Sequence, residues 1–223
     1  IYALARSGLT VEDCEIINVG APARGELARA TNSCIRYENG SDLTITRVTT
    51  RRGSNGLQII NTANTAIDHF ENHDARGPFP RGMAIQWASC TGTHLAEDLS
   101  DESIPGTSKN EDHFSVFNTP NATLRRVKIP MGTDGVSGRG FVMESALAQG
   151  LVLDEFECEN MYNGAVSIGL NGADDFTVTG FRTRGINRYG VYGYAGSTSS
   201  NSFPPLTFSV TGTSPASIEA KYY

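Results

Sequence analysis

No apolar run in the 223 residues approaches the roughly 18 needed to cross a bilayer as a helix. Positive charge is also short: 18 Lys and Arg stand against 24 Asp and Glu, and the net charge of −6 argues against a general nucleic-acid surface. Cysteine is scarce, and none of the four residues belongs to a Cys-x-x-Cys pair or a Cys/His cluster, so zinc is not expected. Cys14 and Cys158 read as inward-facing and six coils apart; one disulfide between neighbouring coils, such as Cys14 with Cys34, stays open. Ser137-Gly-Arg-Gly140 lacks the strand-turn-helix context of a phosphate loop, and Ser89-Cys90-Thr91-Gly92 is no nucleophile elbow.

What the chain has is a repeat. An eight-residue pattern (apolar, any, apolar, any, any, apolar, any, then apolar or small) recurs at Leu9-Val11-Cys14-Ile16, Leu43-Ile45-Val48-Thr50, Thr65-Ile67-Phe70-Asn72, Ala122-Leu124-Val127-Ile129, Leu151-Leu153-Phe156-Cys158 and Phe176-Val178-Phe181-Thr183. A degenerate copy, Thr91-Gly-Thr-His-Leu95, reads with Leu95 as its second apolar position. Between these copies runs a shorter signal, a Gly followed by alternating apolar residues, as in Gly56-Leu57-Gln58-Ile59 and Gly140-Phe141-Val142-Met143. Two strand signals per period of about 20 to 30 residues, with no helix between them, predict an all-β solenoid: a parallel β-helix of about eight coils. The domain is expected over residues 1–212, with a C-terminal tail at 213–223. The chain opens at Ile1 already reading as strand, which predicts that more chain or another subunit covers the solenoid ends, in a homo-oligomer or larger assembly.

Alternation sorts inward from outward side chains. On the short signal the outward positions are Arg36, Gln58, Gln86, Ser115 and Glu144, with His113 on the same side. This is a polar column suited to binding an extended polymer. On the long pattern Asp68, His69, Glu71, His73 and Asp74 point out or end the strand. Either they solvate turns, or His73 with a neighbouring carboxylate does acid/base work. The loop 72–82 adds Arg76 and Arg81 for carboxylate recognition and Phe79 as a flat face for a sugar ring. The segment 97–112 carries six acids and reads as an acidic loop able to take calcium, although it lacks EF-hand spacing; no other metal site is expected.

The runs Gly77-Pro-Phe-Pro-Arg-Gly-Met-Ala-Ile-Gln-Trp87, Asn110-Glu-Asp-His-Phe-Ser-Val-Phe117, Gly138-Arg-Gly-Phe-Val-Met143 and Asn163-Gly-Ala-Val-Ser-Ile168 resemble the secreted right-handed parallel β-helix repeat proteins of bacteria, within the broad pectin-lyase-like group. The resemblance implies a right-handed coil at an extracellular, virion or cell-surface location. Among that group are lyases, epimerases and hydrolases of acidic polysaccharides, phage tailspikes and fibres, and adhesins. Asn72-His73-Asp74 matches the last two positions of the group's Asp-Pro-His-Asp element and lacks the first acid and the proline. The resemblance therefore implies a polysaccharide partner, with elimination or epimerisation at a uronic acid by His73, Arg76 and Arg81 and a column of Arg36, Gln58, Gln86, His113, Ser115 and Glu144 lining the substrate. Its alternative is a non-catalytic fibre, spike or filament module.

Overall fold

The computed structural model describes residues 1–17, 33–77, 81–104, 106–131, 139–159, 161, 164–170, 175–180, 182–184, 191–193 and 221–222. Within them the two sequence signals become two sheets. The short signal supplies β1 (Tyr2–Leu4), β3 (Ile35–Glu38), β5 (Leu57–Ile60), β7 (Ile85–Ala88), β9 (Asp112–Phe117), β11 (Arg139–Glu144), β13 (Gly164–Leu170), β16 (Val191–Gly193) and β17 (Lys221–Tyr222), hydrogen-bonded in that order. The long pattern supplies β2 (Thr10–Ile17), β4 (Ser41–Arg51), β6 (Ala63–His73), β8 (Thr91–Glu102), β10 (Ala122–Met131), β12 (Leu151–Glu159) and β14 (Phe176–Thr179), with β15 (Arg182–Arg184) also paired to β12. Every pairing between these strands is parallel, and each strand pairs with the equivalent strand of the next period. The chain is a parallel β-solenoid. Phe79, Phe181 and the expected boundary at 212/213 lie outside the described residues, while Tyr222 of the expected tail pairs with Gly193.

The register stacks like on like. Ile45, Ile67, Ala96, Leu124, Leu153 and Val178 form one inward column, and Val48, Phe70, Leu99, Val127 and Phe156 form another. The opposing sheet contributes Ile35, Leu57, Ile85, Phe114 and Phe141, so the core is one continuous apolar stack. All four cysteines are free thiols.

The two-residue gap in the long pattern is a backbone feature. Asp13, Arg47, His69, Asp98, Arg126 and Glu155 occupy it, all with φ between 50° and 53°, and Gly180 follows at 58°. One left-handed residue per coil resets the side-chain parity, so the apolar residues on both sides of it face inward. It also leaves the six side chains outside in a ladder, where Arg47 grips Asp13 at 2.6 and 2.8 Å and Arg126 grips Asp98 at 2.7 and 2.9 Å. Such exposed pairs contribute little, roughly 0 to 1 kcal/mol each. Glu155 enters no salt bridge among the described residues, so Glu155→Gly is expected to stabilise by about 0.5 kcal/mol and Glu155→Val to destabilise by about 1 to 2 kcal/mol, read from urea midpoints.

Two expectations change here. Leu95 is not inward: β8 carries one extra residue between Thr91 and His94 relative to Ala63–Thr65 of β6, a bulge at Gly92. Ala96 therefore pairs with Ile67, Leu95 is 36% exposed, and the inward set of this coil is His94, Ala96, Leu99 and Asp101. His113 is not outward. Gly56, Ala84, His113 and Gly140 share the rung just before the inward Leu57, Ile85, Phe114 and Phe141. A Cβ at Gly56 would lie 2.6 Å from the Ala84 carbonyl and 2.7 Å from Asn72 Oδ1, which shows that this rung faces inward. His113 is fully buried there.

Candidate functional site

His73 ends β6 with Nδ1 3.1 Å from Glu102 Oε2 and Nε2 3.5 Å from Glu71 Oε2. Its expected neighbour Asp74 turns away. At φ 57° and buried, Asp74 accepts from the Thr107 and Ser108 hydroxyls on Oδ1 at 3.0 and 2.9 Å, and from Arg76 on Oδ2 at 3.1 and 3.0 Å. Arg76 thus neutralises Asp74 instead of presenting a bare guanidinium. Arg81 stands beside Glu111, whose backbone N–H donates to the Arg81 carbonyl at 3.2 Å.

The outward column of the nine-stranded sheet exists as a register from Arg36 to Ser115 and is bonded within itself, but Glu144 is not part of it: Ser115 pairs next with the buried Val142, and Glu144 pairs with Phe117 two residues further on. Arg36 pairs with Gln58, Gln58 with Gln86 and Gln86 with Ser115; Arg36 Nη1 donates to Gln58 Oε1 at 2.6 Å and Gln58 Nε2 to Gln86 Oε1 at 2.8 Å. The open face expected of it is interrupted, because Gln58 is 2% exposed and Ser115 is also buried, while Arg36, Gln86 and Glu144 are half-buried.

The acidic segment is not one loop. Glu97, Asp98, Asp101 and Glu102 lie in β8, whose alternation and left-handed residue send them to different faces. Glu97 and Asp98 meet Arg125 and Arg126, Glu102 meets His73, and Asp101 turns into the core. There Asp101 Oδ1 accepts from Asn72 Nδ2 at 2.7 Å, and Oδ2 accepts from Asn110 Nδ2 at 3.2 Å and lies 2.6 Å from His113 Nδ1. Thr50 extends the chain by donating to Asn72 Oδ1 at 2.8 Å, and Ser103 by donating to Asn110 Oδ1 at 2.9 Å. Of the six acids, Glu97 and Asp98 stay together on Arg126, and Glu111 and Asp112 stay together where β9 begins. These contacts make His113 a bracing residue of the interior.

A concavity lies on the other sheet. A groove of about 600 Å³ crosses β6, β8, β10, β12 and β15 on their outer face. One wall is the left-handed ladder from His69 to Gly180; the other is the in-register column Glu71, Ser100, Lys128, Glu157 and Arg182. Lys128 and Arg182 make no ion pair among the described residues, and they lie two strand steps, about 10 Å, apart. At one end Asp68, His69 and Asp98 bring ligand atoms within 4.8 Å of one another, with Asp98 already held by Arg126. The sequence pattern did contain this surface, since every groove residue except Leu99 and Gly180 is an outward position of β6, β8, β10, β12 or β15.

Comparison of the chain with protein-family models and with curated proteins finds no match. The fold and the groove define a class, a parallel β-solenoid with a charged channel running across its strands.

Proposed function

We propose that this is a right-handed parallel β-helix protein of the pectin-lyase-like kind, exported to an extracellular, virion or cell surface, and that it engages a uronic-acid polysaccharide along the groove. The observation that carries the reading is the stacked pair Lys128 and Arg182: two cations outside any ion pair among the described residues, at a fixed interval in a trough about 19 Å long, four steps of about 4.8 Å, lined by hydrogen-bonding side chains. A polymer with carboxylates at regular intervals meets both cations, while Glu71, Ser100 and Glu157 offer acceptors and a hydroxyl to its sugar hydroxyls. With a net charge of −6, anion binding rests on local cations such as this pair.

A catalytic extension of the reading rests on His73. Elimination at a uronate breaks the C5–H and C4–O bonds, needing a base for the proton and an acid for the departing oxygen. An imidazole oriented by Glu102 is suited to one of those transfers, with Arg81 as the charge that neutralises the substrate carboxylate and Arg76 braced on Asp74 behind it. Affinity electrophoresis through alginate, pectate and neutral dextran tests binding. Retardation is expected only in the acidic polymers, with a loss of at least tenfold in affinity in the Lys128→Ala/Arg182→Ala variant. The same incubations, followed in the near ultraviolet, test catalysis: unsaturated ends that vanish in His73→Ala support it, and their absence on every acidic glycan leaves binding alone.

The second reading, a structural or adhesive module, is supported by β1 and β2, which among the described residues pair on one side only and expose Tyr2, Leu4 and Ile17. Sedimentation of an elongated multimer, with no retardation in any glycan, replaces the first reading with this one.

A further inference from the structure

Glu111 and Asp112 open β9 on the nine-stranded sheet, away from the groove. Asp112 is 4% exposed and its Oδ1 has no hydrogen-bond partner; the nearest cation is Arg139 Nη1 at 3.8 Å, beyond hydrogen-bond length. Glu111 Oε2 is buried without a partner as well. Among the described residues, the charged groups facing the pair are Glu144 and Arg139 from β11 and Arg81 from the segment before β7. Three carboxyls thus face two guanidiniums, and two of the carboxyls hold a buried, unbonded oxygen. A buried ionised oxygen without a donor is expensive, and such a group relieves itself by taking a proton.

We propose that the Glu111–Asp112 pair holds one proton at neutral pH, and that losing it loosens the junction of β9 with β11, making this junction a pH-sensitive joint in the solenoid. Burial first, with the Glu111 and Glu144 charges adding and Arg139 opposing, pushes Asp112 up to about 7. Burial and Glu144 raise Glu111 too. The two acids interact, so the proton belongs to the pair. The sign follows from linkage. The unfolded chain releases the Asp112 proton near pH 4 and the folded chain near pH 7, so stability falls with rising pH across that window and is flat above it. The inference does not depend on the glycan reading.

Thermal melts of the intact protein and of Asp112→Asn test it. The variant, a neutral isostere, is expected to melt several degrees above wild type at about pH 8, with the gap narrowing to less than half at about pH 5. A variant less stable than wild type by the same margin at both pH values overturns the proposal, since Asp112 is then a charged partner of Arg139. If the variant does not fold, carboxyl-carbon NMR of wild type decides: a titration midpoint near 7 supports the proposal and one below about 4.5 overturns it. Stabilisation of wild type but not of the variant by millimolar calcium chloride also overturns it, because a cation then takes the place of the proton.

Discussion

Alanine at Asp101 is expected to lower the unfolding free energy by about 4 kcal/mol, which is a large fraction of the roughly 5 to 15 kcal/mol a domain has. Asp101 is fully buried and accepts from Asn72, Asn110 and His113, so its removal leaves three donors facing an apolar gap. Each buried orphan donor costs about 1 to 3 kcal/mol, and the imidazole loses the carboxylate that fixes its orientation. Asp101→Asn keeps the shape but turns N–H groups toward donors, so it is expected to recover less than half of the loss. Urea unfolding followed by far-ultraviolet circular dichroism measures both. A loss under about 1 kcal/mol in Asp101→Ala contradicts the buried network.

Trp87→Ala is expected to cost a similar amount, about 3 to 5 kcal/mol, for a different reason. The ring is fully buried in the inward column with Ile59 and Val116, and its Nε1 donates to Thr65 Oγ1 at 3.1 Å. Thr65 Oγ1 in turn lies 3.1 Å from His94 Nδ1. Burial lowers His94 to about 4, so the ring is neutral at pH 7. Trp87→Phe retains most of the packing and loses the donor; its expected cost is about 1 kcal/mol. Circular dichroism is the probe, because Trp87 is the single tryptophan and its fluorescence is lost in both variants. Equal losses in the two variants would mean that the hydrogen bond, and not the ring volume, dominates this site.

The stacking itself was legible. Ile45, Ile67, Leu124, Leu153 and Val178 form one column because an apolar residue at each inward position is the only way every coil can close on the next. The reading slipped at β8 because a bulge at Gly92 shifts parity by one, and nothing in Thr91-Gly-Thr-His-Leu95 marks which residue is extra. That slip hid His94 and Asp101, two polar residues in positions the pattern reserves for apolar or small side chains. His113 departs from the expectation because residues 112–116 of β9 are all buried, so alternation there does not separate core from solvent; the glycines at its rung, Gly56 and Gly140, are the available signal that this rung has little room. The left-handed ladder had no common residue type to read, since Asp, Arg, His and Glu share the position.

The site was legible in part. The order Arg36, Gln58, Gln86, Ser115 follows from spacing alone, but its burial depends on what covers the sheet from elsewhere in the chain. Spacing along the strand offers His73 only carboxylates of its own coil, such as Glu71 and Asp74, whereas sheet register supplies Glu102 from the next coil. Asp112 showed no signal in sequence, because an acid before a strand is ordinarily solvated and only burial beside Glu111 and Glu144 distinguishes this one.

Calorimetric titration of the intact protein with oligouronates of increasing length is the most direct test of groove engagement. Affinity is expected to rise with length until the five strands, about 19 Å, are spanned, then level off, and to fall at least tenfold in Lys128→Ala/Arg182→Ala. Affinity unchanged in that variant, or no binding at any length, contradicts the groove as the polysaccharide site.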